Sequence, residues 1–123
     1  MMKKILVIDD NRDIMELAVI LLENEGYEVE CSSQYAGYEK TVNSSNCQLV
    51  LLDLNLDGFS GKDICRYIKG HRHLENTKVV LISADHDIEE VREEVCADDF
   101  IRKPFDIRDF LGTVNKNMTE GKF

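Results

Sequence analysis

Three carboxylates, a hydroxyl and an ammonium each stand directly after a short run of strand-like residues. Asp9 and Asp10 follow Ile5-Leu6-Val7-Ile8, and Asp53 follows Leu49-Val50-Leu51-Leu52. Ser83 follows Val79-Val80-Leu81-Ile82, and Lys103 follows the weaker run from Asp99 to Arg102. Brought together, three carboxylates repel, and each resists ionisation until a cation joins them. A hard divalent ion such as Mg²⁺ (or Mn²⁺) suits the set, because it takes oxygen ligands and is commonly held by one or two carboxylates plus a phosphate. One carboxylate can also act as a nucleophile and carry an acyl phosphate. Charge developing on phosphoryl oxygens then needs donors, which the metal, Lys103 and the Ser83 hydroxyl would supply.

Singly, each residue has a plainer reading. An Asp after a strand is most often a turn or helix-capping residue, and Asp9 and Asp10 stand where they could cap a helix starting near Asn11. Ser83 alone is a loop serine and Lys103 alone a surface lysine. Their chemistry depends on whether the elements before them bring them to one rim.

Those elements are legible. The three strong runs are continuous rather than alternating, as in parallel strands covered on both faces. Glu28 to Cys31 and Asp99 to Arg102 are weaker strands. Between them lie helical patterns: Ile14, Leu17, Ala18, Leu21 and Leu22, closed by Gly26; a weaker stretch over 35–44 with Tyr35, Tyr38 and Val42; Ile64, Tyr67 and Ile68; Ile88, Val91 and Val95, with Asp87 and Glu90 placed as a capping box; and Ile107, Phe110, Leu111, Val114 and Met118, capped by Asp106. The order βαβαβαβαβα predicts a single α/β domain, a doubly wound five-stranded parallel sheet with helices on both faces. Such sheets bind ligands beyond the carboxyl ends of their strands, where all five residues stand.

Composition narrows the partners. The chain has 123 residues, enough for one domain, and 15 basic against 24 acidic residues give a net charge of −9. That balance argues against nucleic acid and anionic membrane surfaces as direct partners. The N-terminal apolar run, Ile5 to Ile8, is too short for a signal peptide or a membrane span. Cys31, Cys47, Cys65 and Cys96 form no CxxC pair and read as buried or half-buried thiols of a cytoplasmic protein. A flavin or nucleotide site would need a phosphate-cradling loop after the first strand, but Asp9-Asp10-Asn11-Arg12-Asp13 would repel phosphate. An Asp-nucleophile phosphohydrolase would want a second acid where Asn55 stands.

With these residues in view, the chain resembles the receiver domains of bacterial two-component response regulators from about Lys4 to Met118. The markers are Ile5-Leu6-Val7-Ile8-Asp9-Asp10, Leu51-Leu52-Asp53-Leu54, Gly58-Phe59-Ser60-Gly61, Ile82-Ser83-Ala84 and Ala97-Asp98-Asp99-Phe100-Ile101-Arg102-Lys103-Pro104-Phe105. The resemblance implies strand order 2-1-3-4-5, a receiver over 1–118 and a short tail over 119–123. It implies that Asp53 accepts a phosphoryl group from a sensor histidine kinase or phosphotransfer protein. Asp10, Asp53 and the Asn55 backbone carbonyl would ligate the metal, with Asp9 acting through a water. Lys103 would pair with the phosphoryl group, Ser83 would move to hydrogen-bond it, and Phe100 would turn inward. The Lys103–Pro104 bond would be cis, which only an X-Pro bond makes accessible at low cost. Asn55 and Asp85 would line the path of the hydrolytic water, giving a phosphate lifetime of minutes or less. The protein would be a switch, not an enzyme beyond its own phosphorylation and dephosphorylation.

The chain departs from the family's pattern at Asp57, where proline is common, at Cys96, where glycine is usual, and in a fourth helix shortened to about Asp87 to Val95. The output face of fourth helix, fifth strand and fifth helix would carry Glu89, Glu90, Glu93 and Glu94 against Arg92, Arg102 and Arg108, as a solvated surface or as a docking or homodimer face. The natural-looking start and end favour a stand-alone receiver acting on an unknown output protein. The alternatives are a module cut from a longer regulator such as a transcription factor, or a non-phosphorylated interaction domain.

Overall fold

The computed structural model describes residues 3–119. Its elements are β1 (Lys4–Ile8), α1 (Arg12–Asn24), β2 (Glu28–Ser32), α2 (Tyr38–Ser45), β3 (Leu49–Asp53), α3 (Lys62–Gly70), β4 (Lys78–Ser83), α4 (Ile88–Val95), β5 (Asp99–Arg102) and α5 (Ile107–Thr119). A hairpin of two-residue strands, Asn55–Leu56 and Phe59–Ser60, lies between β3 and α3, and a 3₁₀ turn (Arg72–Leu74) precedes β4. The five long strands form one parallel sheet in the order β2-β1-β3-β4-β5, as expected.

Alternate side chains of the central strands enter two different cores. Ile5, Val7, Leu49, Leu51, Val80 and Ile82 pack with Ala18 and Leu22 of α1 and with Phe110 and Val114 of α5. Leu6, Ile8, Val50, Leu52, Val79 and Leu81 pack on the other side with Val42 of α2, Ile64 and Ile68 of α3, and Val91 and Val95 of α4. This is why the runs are continuously apolar: each residue has a helix above or below it. Fully burying each such side chain contributes about 1.5–3 kcal/mol.

Helix ends follow their signals in most places. Asn11 caps α1, its side chain accepting the Ile14 N–H at 3.1 Å. Gly26, at φ +94, closes that helix in a Schellman arrangement, with Gly26 N–H on Glu23 O and Tyr27 N–H on Leu22 O. Asp106 accepts the Asp109 N–H at 2.7 Å, as expected of a cap for α5.

Several expectations need correction. Asp87 makes no side-chain cap; its φ −90 and ψ 12 are already near-helical, whereas a capping side chain reaches back only from an extended residue. The helix over 35–44 begins at Tyr38, leaving Tyr35 in the preceding loop, and β2 extends to Ser32. Cys65 is buried and Cys47 half-buried, but Cys31 and Cys96 are exposed. Glu94 does not belong to the output face: it pairs across to α3, with Lys62 at 3.5 Å and Arg66 at 2.6 Å. The shortened fourth helix is present, with eight residues. Helix α5 runs through Thr119, and residues 120–123 of the expected tail lie outside the described residues.

Candidate functional site

The last rungs of the sheet hold the reactive rim. Asp9 N–H donates to Ser32 O at 3.1 Å, Leu54 N–H to Ile82 O at 3.1 Å, and Lys103 N–H to Ser83 O at 2.9 Å. The backbone at each strand end is thus tied to its neighbour before the chain turns away.

A second device repeats at three positions. Asp9 Oδ1 accepts the Asn11 N–H at 2.8 Å, Asp53 Oδ1 the Asn55 N–H at 3.0 Å, and Ser83 Oγ the Asp85 N–H at 3.0 Å. Each side chain captures the backbone two residues on, the local turn that Asp and Ser favour. The turn reading therefore holds at all three positions, and it leaves the site reading open. At Asp9 and Asp53 one carboxylate oxygen makes the turn, which leaves the other for a second partner.

Those other oxygens face Lys103. Its ammonium lies 3.2 Å from Asp53 Oδ2 and 3.4 Å from Asp9 Oδ2. Asp53 is 6% exposed and Asp9 only 1%, while Asp10 is exposed. Ligand atoms of Asp9, Asp10 and Asp53 all lie within 4.8 Å of one another. Burial pushes the Asp9 carboxyl up to about 6. The Asn11 N–H opposes the shift, the Asp53 charge adds to it and the Lys103 charge reduces it. A set of three carboxylates served by one ammonium leaves net negative charge at the rim, and a divalent oxygen-seeking ion fits that chemistry.

Asp10, Asn11, Asp53, Asn55, Ser83, Ala84, Asp85 and Lys103 line one cleft of about 230 Å³. Every expected site residue except Asp9, Phe100 and Pro104 opens into it. Asp9 is covered, though bonded to Lys103. Pro104 follows a cis Lys103–Pro104 peptide and lines the neighbouring cleft with Phe105, Ile14 and Leu17. Phe100 lies on β5, half-buried against the core on the α2–α4 side, with the Arg102 guanidinium 5.4 Å from its ring centroid. Arg102 also pairs with Glu89 at 3.7 Å.

One contributor was missed from sequence. The backbone N–H of Asp57 donates to Asp10 Oδ2 at 2.8 Å. Asp57 and Gly58 have φ +51 and +86, the turn of the Asn55–Ser60 hairpin. Positive φ at both central positions marks a type I′ turn, and Asp-Gly is a strong short-range signal for it. Proline, fixed near φ −65° and lacking an N–H, fits neither role.

A doubly wound sheet with an acidic, lysine-bearing cleft at its carboxyl edge defines an α/β domain with a carboxylate-centred site. The sequence profile described as response regulator receiver domain matches residues 5–115, and the chain belongs to that family. Among curated proteins it is 28% identical to the transcriptional regulatory protein GltR of Pseudomonas aeruginosa, over 98% of this chain and 51% of that one. The chain therefore spans about half the length of that relative. Among solved structures it is 25% identical to a CheY-like receiver domain protein from Methanospirillum hungatei, with a TM-score of 0.85 over 98% of this chain and 96% of that one. It is 30% identical to the response regulator DrrB, a Thermotoga maritima OmpR/PhoB homologue, with a TM-score of 0.82 over 96% of this chain and 53% of that one. The DrrB receiver domain is also known in a BeF3-activated form.

Proposed function

We propose that the chain is a phosphoacceptor switch. The observation that carries this reading is the Lys103 ammonium set against the two buried carboxylates, 3.2 Å from Asp53 and 3.4 Å from Asp9. An Asp53 carboxylate oxygen attacks the phosphorus of a phosphohistidine on a sensor kinase or phosphotransfer protein. The P–N bond breaks and the imidazole nitrogen keeps the electron pair. Asp53 is placed to act as the nucleophile because Oδ2 faces the Lys103 ammonium and its second oxygen is fixed by the Asn55 N–H. Lys103 donates to the transferring group, and the Ser83 hydroxyl turns from the Asp85 N–H to join it.

Asp10, Asp53 and the Asn55 carbonyl would hold Mg²⁺, with Asp9 acting through a water. The ion would supply the positive charge that offsets the phosphoryl oxygens. Once Ser83 has moved, Phe100 follows it inward and the α4–β5–α5 surface changes, which is the signal. Asn55 and Asp85 admit and orient the hydrolytic water, so the acyl phosphate lasts minutes or less. Nothing is turned over besides the protein's own phosphate. Free thiols at all four cysteines suit a reducing cytoplasm.

A second reading of the output has its own support. GltR and DrrB are each about twice the span matched here. This receiver would then regulate an attached output domain, as a transcriptional regulator does, instead of a separate protein. The α4–β5–α5 face, with its Glu89–Arg102 pair, would be the contact or homodimer surface in that case.

Acetyl phosphate with Mg²⁺ tests the central claim. The expected result is one phosphoryl adduct by mass, absent in Asp53→Asn and absent with chelator. Wild type that takes up no adduct would favour a non-phosphorylated interaction domain.

A further inference from the structure

A chain of aromatic rings runs from the rim of the acidic cleft across the α2–α3 face. Phe59, in the hairpin after Asp53, stacks on Tyr35 with ring centroids 4.7 Å apart and planes at 11°. Tyr35 meets Tyr38 at 5.1 Å, Tyr38 meets Tyr67 at 5.6 Å, and Tyr67 meets His71 at 4.0 Å. Hydrogen bonds lock several members: Tyr35 OH donates to Asp63 Oδ2 at 2.9 Å, and Asn43 Nδ2 donates to Tyr67 OH at 2.8 Å. The first ring is the loosest. Phe59 is 57% exposed, although its hairpin partner Leu56 is fully buried.

The hairpin that carries Phe59 is tied to the cleft twice. Asn55 N–H is bonded to Asp53, and Asp57 N–H is bonded to Asp10. The loop between its strands is the two-residue Asp57–Gly58 turn, so the backbone from the Asp10 contact to Phe59 is only two residues long. We propose that Asp57 is a positioning residue whose N–H holds Asp10 for the metal, and that the hairpin passes occupancy of the acidic cleft to the Phe59–Tyr35 stack. An ion drawing on the Asp10 oxygens pulls against the Asp57 N–H. An ion held by the Asn55 carbonyl would pull the same hairpin from its first strand. Both displacements would reach Phe59, whose ring neighbour among the described residues is Tyr35. The inference rests on the reading that the cleft binds Mg²⁺.

The chain has four tyrosines and no tryptophan, which supplies the readout. Three of the tyrosines belong to the chain of rings. Tyr27 is remote from it, bonded to Asn115 on α5, and serves as an internal control. With ¹³C-tyrosine-labelled protein, adding Mg²⁺ shifts the Tyr35 ring resonances, shifts Tyr38 less, and leaves Tyr27 unchanged. The Asp57 amide shifts in the same titration. In Phe59→Ala the Tyr35 response disappears. Mg²⁺ affinity, followed by the Asp53 amide, stays within about fivefold, because by reciprocity the coupling cannot exceed what the stack itself contributes. Wild type in which the Asp10 and Asp53 amides move while Tyr35 stays still overturns the inference and leaves the metal site standing. An unchanged Tyr35 response in Phe59→Ala overturns the relay through the stack. No amide movement at any Mg²⁺ concentration overturns the metal reading and the inference with it.

Discussion

The Lys103 ammonium sits 3.2 Å from Asp53 Oδ2, and the same nitrogen also serves Asp9. Both carboxylates are buried, so each depends on this cation when metal is absent. Removing one partner of a buried ion cluster leaves uncompensated charge, which is costlier than the pair itself is favourable. Lys103→Met is expected to lower metal-free stability at pH 7.5 by about 2–4 kcal/mol. It should slow adduct formation from acetyl phosphate by about 10²-fold, as loss of a transition-state donor does. Urea unfolding with chelator and timed mass spectrometry check the two effects. Wild-type stability in this variant would mean that the carboxylates do not need the cation.

The Asp9 carboxyl gives a pH signature. Its folded pKa is raised from 3.8 to about 6, chiefly by burial. Between those values the folded protein binds more protons than the unfolded chain. Stability from this group is therefore fully present below pH 4 and declines as pH rises through 6, by at most about 3 kcal/mol. Asp9→Asn keeps an oxygen for the Asn11 N–H but removes the titration. In chelator the variant should be more stable than wild type at pH 7.5, and the gap should close as pH falls toward 4. Saturating Mg²⁺ should narrow the gap at pH 7.5. A gap that does not depend on pH would sink this assignment.

Gly61 carries a packing constraint beside the acceptor. A Cβ added there would lie 2.4 Å from the Asp53 backbone oxygen and 3.1 Å from Leu54 Cα, while the Gly61 N–H donates to Leu54 O at 2.8 Å. The obstacle is backbone, so it cannot swing aside. Gly61→Ala should cost about 2–3 kcal/mol, in the range of overpacked sites. It should also shift the Asp53 and Leu54 amide resonances more than those of β1. Unperturbed urea unfolding would show that the loop yields.

How much of this was legible depends on the range of the interactions. The sheet could be read from the continuous runs at 5–8, 49–52 and 79–82, because burial on both faces leaves no polar position inside them. The site followed, since doubly wound topology carries strand ends to one rim whatever the helices do. What escaped was local backbone detail. Asp57 was noticed as a departure from proline, but the Asp57-Gly58 pair was not read as the type I′ turn it makes, nor its N–H as a partner for Asp10. Asp87 and Glu90 had capping-box spacing, yet the chain enters α4 from a turn, with Ile88 N–H on Asp85 O, and the extended conformation a cap requires never forms. The aromatic chain joins residues from a loop, two helices and a hairpin, and no spacing in the sequence announces it.

Cys96 tests a position where the chain departs from the usual glycine. It closes α4 at φ +61, with its N–H on Glu93 O and the Ala97 N–H on Arg92 O, so the backbone is a Schellman stop in left-handed conformation. A residue with a Cβ is strained there, and the side chain is exposed, so packing returns little. Cys96→Gly relieves the strain but gives the unfolded chain more freedom, which offsets part of the gain. The expected net is a stabilisation of about 0.5–1 kcal/mol, read as a higher urea midpoint at unchanged slope. Cys96→Ala separates strain from thiol chemistry, because it keeps the Cβ and loses only the sulfur. It should match wild type, and a gain equal to the glycine variant's would show that the thiol, not the backbone, carries the cost.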